Sequence, residues 1–321
     1  MEKQTGWSEE AYVLFGQSLC EQIRTLLGDG FETELTQVRK NNGVMKDVLN
    51  VRKENSECVP CFYMDEMFHS YCLGERVEAL ADHVRNIVLG ESPTIKEQVE
   101  IYTQREWIEK HLFIRLIHFE KNKEELEQAV YVRFLDLAAV FYVLTEDSEE
   151  GVKSFRLPKK IWESLGFGEA EAYFSVIAKN TRRLFPERLE YVEYMVLESV
   201  EKRLQIQLPL REIIHRPDRK LRNNQLYVLT NHRKINGAAV ILYPEMLKEL
   251  SNRFLGGFYI IPSSVHEVLL LKEEEMGEER LNMMVKEVNE NQVEPEEILA
   301  DHVYYYVPEK QQLIICGQEE S

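Results

Sequence analysis

The stretch from Leu226 to Leu271 constrains the fold most, because it carries several short regular elements in direct succession. It reads LYVLTN, HRKING, AAVILY, PEMLKELSNRFLGG, FYIIPSS and VHEVLLL. Two apolar runs flank a glycine-containing turn, a helical pattern follows, and two further apolar runs close the stretch. The order strand, strand, helix, strand, strand predicts an antiparallel sheet with a helix on one face.

The N-terminal part of the chain has clear local signals. Ser8 is a suitable N-cap for a helix, with Glu9 and Glu10 in the first turn, and Gly28 follows the last apolar position of its pattern. The tripeptide Asn41-Asn42-Gly43 separates the strand-like runs ELTQVRK and VMKDVLNVRK. This spacing predicts a β-hairpin.

The middle of the chain is less regular. HLFIRLIHF predicts a buried strand, whereas VRFLDLAAVFYVL is compatible with a strand or a buried helix. SEEGVKSFRLP has the composition of a loop, and residues 187–204 have a helical pattern. Near the C-terminus, HVYYYV and LIIC flank a turn and predict a second hairpin.

These patterns together predict an α+β fold, in which mainly antiparallel sheets have flanking helices and the N-terminal and middle regions are rich in helix. The composition changes after Leu208-Pro209, where the chain becomes polar and basic. We therefore expect a helical α+β region over residues 1–205 and an antiparallel sheet with two helices over residues 206–321.

The charge of the chain restricts its partners. Asp and Glu number 56 against 39 Lys and Arg, and the formal net charge is −17. Nucleic-acid phosphates and anionic lipid surfaces both attract basic faces, so we expect neither nucleic acid nor membrane as a partner. A secretory signal pattern and an apolar run long enough to span a bilayer are both absent from the sequence. An odd number of cysteines, five, is typical of reduced thiols, and the expected location is the cytoplasm.

Ser263, Ser264, His266 and Glu267 interrupt the apolar pattern of FYIIPSSVHEVLLL. Ser264, His266 and Glu267 are the residue types of a nucleophile, a base and an orienting acid. Neighbouring strand residues point to opposite faces, so His266 and Glu267 cannot both face Ser264, and the acid would have to come from elsewhere. The alternatives are a hairpin whose polar groups bond locally, a ligand-binding site, and a hydrolase site.

The pair Cys58 and Cys61 forms a C-x-x-C motif, and His69 and Cys72 follow it. Four such side chains can build a tetrahedral zinc site. However, a second C-x-x-C is missing and the intervening FYMDEMF is apolar. A redox pair would need to open a helix, whereas Pro60 leads into a strand-like run. We expect neither metal nor cofactor, and the chain also lacks a glycine-rich phosphate loop with its Lys-Ser/Thr continuation.

A basic segment stands out in this acidic chain, and Arg216, Arg219 and Arg222 lie in it. Arginine side chains match carboxylate and phosphate groups, so these three residues are candidates for holding an anionic ligand. A solvated loop and a charge contact with the acidic residues 273–279 are the alternatives.

Several pieces of the sequence match a known family, namely VRKNNGVMKDVLNV, VPCFYMDEMFHSYCLG, LIHFEKNKEEL with FLDLAAVFYVL, AKNTRRLFP, YVLTNHRKINGAAVILYPEMLKEL and FYIIPSSVHEVLLL. In these pieces the chain resembles a bacterial domain-of-unknown-function family of clostridia-like Firmicutes. They cover nearly the whole chain, and the last two are the most specific. The resemblance implies no reaction and no catalytic residue.

We therefore expect a non-enzymatic cytoplasmic protein that binds a protein partner or a small ligand through its C-terminal sheet. The alternative is a hydrolase that uses Ser264 and His266 with a further acid. The sequence carries no signal for the oligomeric state.

Overall fold

The computed structural model describes residues 8–54, 59–90, 104–149, 151–204, 206, 217, 220–223, 225–272 and 277–317. Contacts within the chain divide it into two compact units, residues 1–101 and 102–321. Each unit has a hydrophobic core of its own. The boundary expected near residue 206 does not coincide with this division.

The first unit contains a three-stranded antiparallel sheet in the order β1-β2-β3, packed against helices. Its elements are α1 (Glu9–Leu27), β1 (Phe31–Arg39), β2 (Met45–Lys53), β3 (Cys61–Tyr63), α2 (Met64–Cys72) and α3 (Val77–Leu89). Helix α1 begins as predicted, since the Ser8 hydroxyl accepts a hydrogen bond from the N–H of Ala11 at 3.1 Å. Phe15, Leu19 and Ile23 then occupy one buried face of this helix.

The hairpin predicted at Asn41–Gly43 is confirmed, because β1 and β2 pair along their whole length. Asn42 has φ 61° and Gly43 has φ 71°, both in the left-handed region. Asparagine and glycine adopt this region with little strain, and the local sequence is therefore sufficient to specify the turn.

The second unit contains two sheets, of which the first has four strands. Strand β6 pairs with β4 on one side and with β5 and β7 on the other, all antiparallel. The strands are β4 (Leu112–His118), β5 (Tyr131–Phe134), β6 (Leu137–Ser148) and β7 (Gly151–Arg156), and the helices of this part are α4 (Arg105–His111), α5 (Lys123–Leu126), α6 (Lys159–Ser164) and α7 (Ala170–Leu184).

One segment of this sheet decides between the strand and the buried helix that the sequence left open, and another differs from the expected loop. The run VRFLDLAAVFYVL forms two strands, β5 and β6, which turn at Leu135 with φ 57°. The segment 148–158, expected as a loop, contains β7. A register shift between Leu144 and Glu146 interrupts the β6–β7 pairing and obscures its period-two pattern.

The second sheet of this unit has six strands in the order β13-β12-β10-β11-β9-β8, and every pair is antiparallel. Its strands are β8 (Glu187–Tyr191), β9 (Tyr227–Asn231), β10 (Phe258–Pro262), β11 (Val268–Leu271), β12 (Tyr304–Val307) and β13 (Gln312–Ile315), with helices α8 (Val192–Leu204), α9 (Met246–Phe254) and α10 (Glu278–Asn291). The predicted C-terminal hairpin is confirmed as β12 and β13.

The sequence pattern predicted a helix over residues 187–204, but only part of this segment is helical. Glu187 to Tyr191 form β8, which pairs with β9 across the expected boundary at residue 206, and α8 follows directly. The partner strand lies about forty positions away in sequence, so no local signal identifies β8 as a strand.

The prediction of a strand for the run AAVILY is wrong. Gly237–Leu242 is a 3-10 helix in which all six residues are buried. It contacts both β9 of the six-stranded sheet and β4 of the four-stranded sheet. One cluster of buried side chains includes this helix together with residues of both sheets. The core of the second unit thus lies between its two sheets, with the 3-10 helix inside it.

The predicted fold class, α+β with antiparallel sheets and flanking helices, is confirmed by these elements. Within the described ranges, no helix combines the length and the apolar character needed to cross a bilayer.

Candidate functional site

The loop after β9 is held in shape by Asn231. Its side-chain oxygen accepts hydrogen bonds from the N–H groups of Arg233 at 3.0 Å and Ile235 at 3.4 Å, and its amide donates to the Ile235 carbonyl at 2.8 Å. Lys234 and Asn236 both have left-handed φ, 55° and 52°. A buried asparagine that bonds its own following backbone is a usual way to fix such a turn.

Gly237 allows this loop to lie directly against the loop before β11. A Cβ atom at this position would be 2.1 Å from Thr230 Oγ1, 2.5 Å from the His266 carbonyl oxygen and 2.8 Å from Asn231 N. The Thr230 hydroxyl donates to that same carbonyl at 2.7 Å. Only glycine fits this close approach of two backbones.

The imidazole of His266 connects three segments of the chain. Its Nδ1 accepts the N–H of Asn236 at 3.1 Å, and its Nε2 lies 3.2 Å from Oε1 of Glu297. Glu297 ends a short 3-10 helix, Pro295–Glu297. Because Nδ1 acts as an acceptor, the ring proton is on Nε2, which donates to Glu297.

Ser264 is 7% exposed and stabilises the turn before β11. Its hydroxyl oxygen accepts the backbone N–H of His266 at 3.0 Å, and its own N–H donates to the Glu267 carbonyl at 3.2 Å. The structure thus brings Ser264 next to the main chain of His266. Within the described part of the chain, neither ring nitrogen of His266 bonds the Ser264 hydroxyl.

Glu267 lies one residue before β11. Burial raises the pKa of its carboxyl group, and the nearby carboxylate of Glu297 raises it further, while His266, the ammonium of Lys234 and a hydrogen bond from Ser263 act in the opposite direction. Lys234 itself contacts Glu198 and lies 3.8 Å from Glu190.

Arg188 completes this network, at 2.5 Å from Glu190 and 3.6 Å from Glu198. We name the four acidic side chains Glu190, Glu198, Glu267 and Glu297 the carboxylate cluster. Lys234 and Arg188 are the cations next to it, and both are paired with Glu190 and Glu198. Negative charge therefore exceeds positive charge around Glu267.

Arg216, Arg219 and Cys58 lie outside the described residues. The backbone N–H of Arg222 donates to the Tyr227 hydroxyl at 2.8 Å.

Cys61 is the exposed first residue of β3, whereas His69 and Cys72 lie on α2. In the described ranges, no group of three or more His, Cys, Asp or Glu side chains is arranged to hold a metal ion.

A second polar cluster, which the sequence did not indicate, lies where the β5–β6 turn meets the start of β12. The Tyr304 hydroxyl donates to Oδ1 of Asp136 at 2.9 Å, and Nε2 of His302 lies 3.3 Å from Oδ2. Burial acts to raise the pKa of Asp136, but His302 and Tyr304 together bring it below its usual value. These residues are far apart in sequence, as are His266 and Glu297, so no local pattern links them.

A comparison with protein families matches residues 12–307 to a family described as a family of unknown function, DUF5688. The chain belongs to this family. The match extends over most of both units of this DUF5688 protein and includes all the residues of the carboxylate cluster. Comparison with curated proteins and with solved structures gives no match.

Proposed function

We propose that this DUF5688 protein is a non-catalytic binding protein whose ligand contacts the carboxylate cluster at one end of the six-stranded sheet. The observation that carries this proposal is the bonding of His266. Its Nδ1 lone pair is occupied by the N–H of Asn236, and its Nε2 proton is directed to Glu297. A general base needs a free lone pair within reach of the proton that it removes.

The position of Ser264 supports the same conclusion. Its hydroxyl oxygen already accepts a backbone hydrogen bond, and its side chain is buried. A nucleophile has to reach a substrate and needs a base beside it. Ser264 and His266 are therefore better suited to holding the loops than to attacking a bond.

The charges around Glu267 favour a cationic ligand. Among the described residues, Lys234 is paired with Glu190 and Glu198 but no cation is paired with Glu267. Its raised pKa reflects a carboxylate that is partly removed from water. An ammonium or guanidinium group would offset that cost through a charge-assisted hydrogen bond. We therefore propose a small amine or guanidine as the ligand class.

Amide NMR titrations with agmatine and cadaverine test this proposal, with 1-pentanol as the uncharged control. We expect saturable shifts at Asn236 and Gly237 with both cations and none with the alcohol. Glu267→Gln, which keeps the shape of the side chain, should abolish the shifts, whereas Glu287→Gln on the exposed face of α10 should not. Equal shifts in the wild type and Glu267→Gln would refute the proposal.

A hydrolase is the second candidate, because Glu297 supplies the acid beside His266 that the sequence left unidentified. It requires the Ser264 hydroxyl to turn towards the ring. Labelling with a fluorophosphonate probe distinguishes the two functions. Labelling that Ser264→Ala removes would establish a reactive serine, whereas a binding protein shows no labelling that depends on Ser264.

We also propose a cytoplasmic location for the protein. Of its five cysteines, Cys20, Cys61, Cys72 and Cys316 are free thiols in the described residues, and such thiols persist in a reducing compartment.

A further inference from the structure

The four-stranded sheet has one face in the core and a second face directed away from it. In β4, Leu112, Ile114 and Leu116 belong to the core between the sheets. Phe113 and Arg115 alternate with them and therefore lie on the second face. Across the sheet, Arg115 pairs with Val140, and Val140 pairs with Tyr131 of β5.

Arg115 is held by neutral groups alone. Its guanidinium carbon lies 4.1 Å from the centre of the Tyr142 ring, and its Nη2 donates to the Ser154 hydroxyl at 2.5 Å. Its Nε is buried and has no hydrogen-bond partner among the described residues. Burial lowers the pKa of this arginine. Removing a guanidinium from water without a counter-charge is unfavourable.

Several other half-buried arginines of the second unit have an acidic partner. Arg182 contacts Glu187, Arg188 contacts Glu190, and Arg233 contacts Asp147. No ion pair is formed by Arg115 among the residues that the structure describes. Arg115 thus lacks a counter-charge among the described residues of a chain with an excess of carboxylates.

Arg156 lies on the same face. It pairs with Tyr142 across the β6–β7 ladder, and paired residues share a face. It is half-buried, and within the described ranges its side chain forms no hydrogen bond or ion pair. Ser154, which Arg115 contacts, is two positions earlier in β7 and thus about 7 Å away along the strand. The Arg115 guanidinium therefore reaches the strand that carries Arg156.

We propose that Arg115, Arg156 and Ser154 form a binding site for an anionic group, a phosphate or a carboxylate, on the second face of the four-stranded sheet. Arginine presents N–H groups in a planar fork that matches these anions. The Ser154 hydroxyl accepts from Arg115, so its own proton is available for the anion. A bound anion would also provide the counter-charge that Arg115 lacks.

Titration of inorganic phosphate, and separately of acetate, into the full-length protein at constant ionic strength tests the site. The side-chain Nε–H signal of Arg115 in protein labelled with ¹⁵N-arginine is the readout. We expect at least one anion to shift this signal saturably. Arg156→Gln should weaken that binding about tenfold or more, because it removes a charge-assisted hydrogen bond.

Two further variants complete the experiment. Arg115→Lys keeps the charge but loses the fork; followed through the Nε–H signal of Arg156, it should weaken binding as Arg156→Gln does. Arg85→Gln, an exposed position in the first unit that pairs with Asp82, should bind as the wild type does. The Arg156 side chain has no hydrogen bond or ion pair to lose among the described residues, so its variant should fold normally. The proposal is overturned if neither anion shifts the signal, or if Arg156→Gln binds like the wild type.

Discussion

Replacing Gly237 with alanine would place a methyl group where backbone atoms already lie. The added Cβ would be 2.5 Å from the His266 carbonyl oxygen and 2.8 Å from Asn231 N, and still closer to Thr230 Oγ1. Overpacking of this kind costs about 1–3 kcal/mol. If the loops separate to relieve it, the Thr230–His266 hydrogen bond is lost as well, at about 1 kcal/mol.

We therefore expect Gly237→Ala to lower the free energy of unfolding by about 3 kcal/mol, a large part of the stability of an ordinary domain. Urea denaturation followed by tryptophan fluorescence measures this change. Gly168→Ala is the matched control, because nothing lies within 4 Å of a Cβ atom at that position. Equal midpoints for the two variants would show that the two loops are not locked together as described. Adding Thr230→Ala should not rescue Gly237→Ala, since two of its three clashes involve main-chain atoms.

Two groups of titratable side chains give further predictions. The pKa of Asp136 is depressed in the folded protein by His302 and Tyr304, despite burial acting to raise it. The ionised Asp136 therefore stabilises the folded protein above the pKa of this group in the unfolded chain, about 4. This stabilisation is lost as the pH falls through the pKa of Asp136 in the folded protein. Unfolding free energies measured from pH 7 to pH 3 should decline less steeply for Asp136→Asn, and parallel curves would contradict this. Burial raises the pKa of the Cys316 thiol to about 12, and it also raises the pKa of Cys61, although Cys61 is exposed. Of these two thiols, a reagent at pH 8 should modify Cys61 in the folded protein and Cys316 only after unfolding, as mass spectrometry of the labelled peptides would establish.

The elements that the sequence predicted correctly are those with local causes. Ser8 caps α1 through a residue three positions away, and Asn42 and Gly43 form their turn through their own backbone preferences. The strands β12 and β13 are neighbours in both sequence and space. In each case a few adjacent residues contain all the information that the structure uses.

The segments predicted wrongly depend on distant residues. AAVILY has the composition of a strand, but Gly237 is packed against Thr230 and His266, and the chain continues as a buried 3-10 helix. An unbroken apolar run has no periodicity that separates these possibilities. Prediction of strand β8 fails for the same reason, because only its pairing with β9 identifies it as a strand.

The candidate site was predictable only in part. His266 and Glu267 stand out because they interrupt an apolar pattern. The partner of the imidazole, Glu297, lies in an ordinary acidic segment thirty-one positions further on. A hydrogen bond of that sequence separation leaves no trace in composition or spacing. For the same reason, the lack of an acidic partner for Arg115 can be recognised only when its neighbours across the sheet are known.

We expect the buried 3-10 helix Gly237–Leu242 to affect the order in which the second unit folds. It contacts β9 immediately before it and β4 more than one hundred positions earlier. Contacts of such sequence separation form slowly, because a long loop must close before they are gained. The helix can become fully buried only when both sheets are in place, so its side chains should acquire protection from solvent late in folding, after the local hairpins have formed.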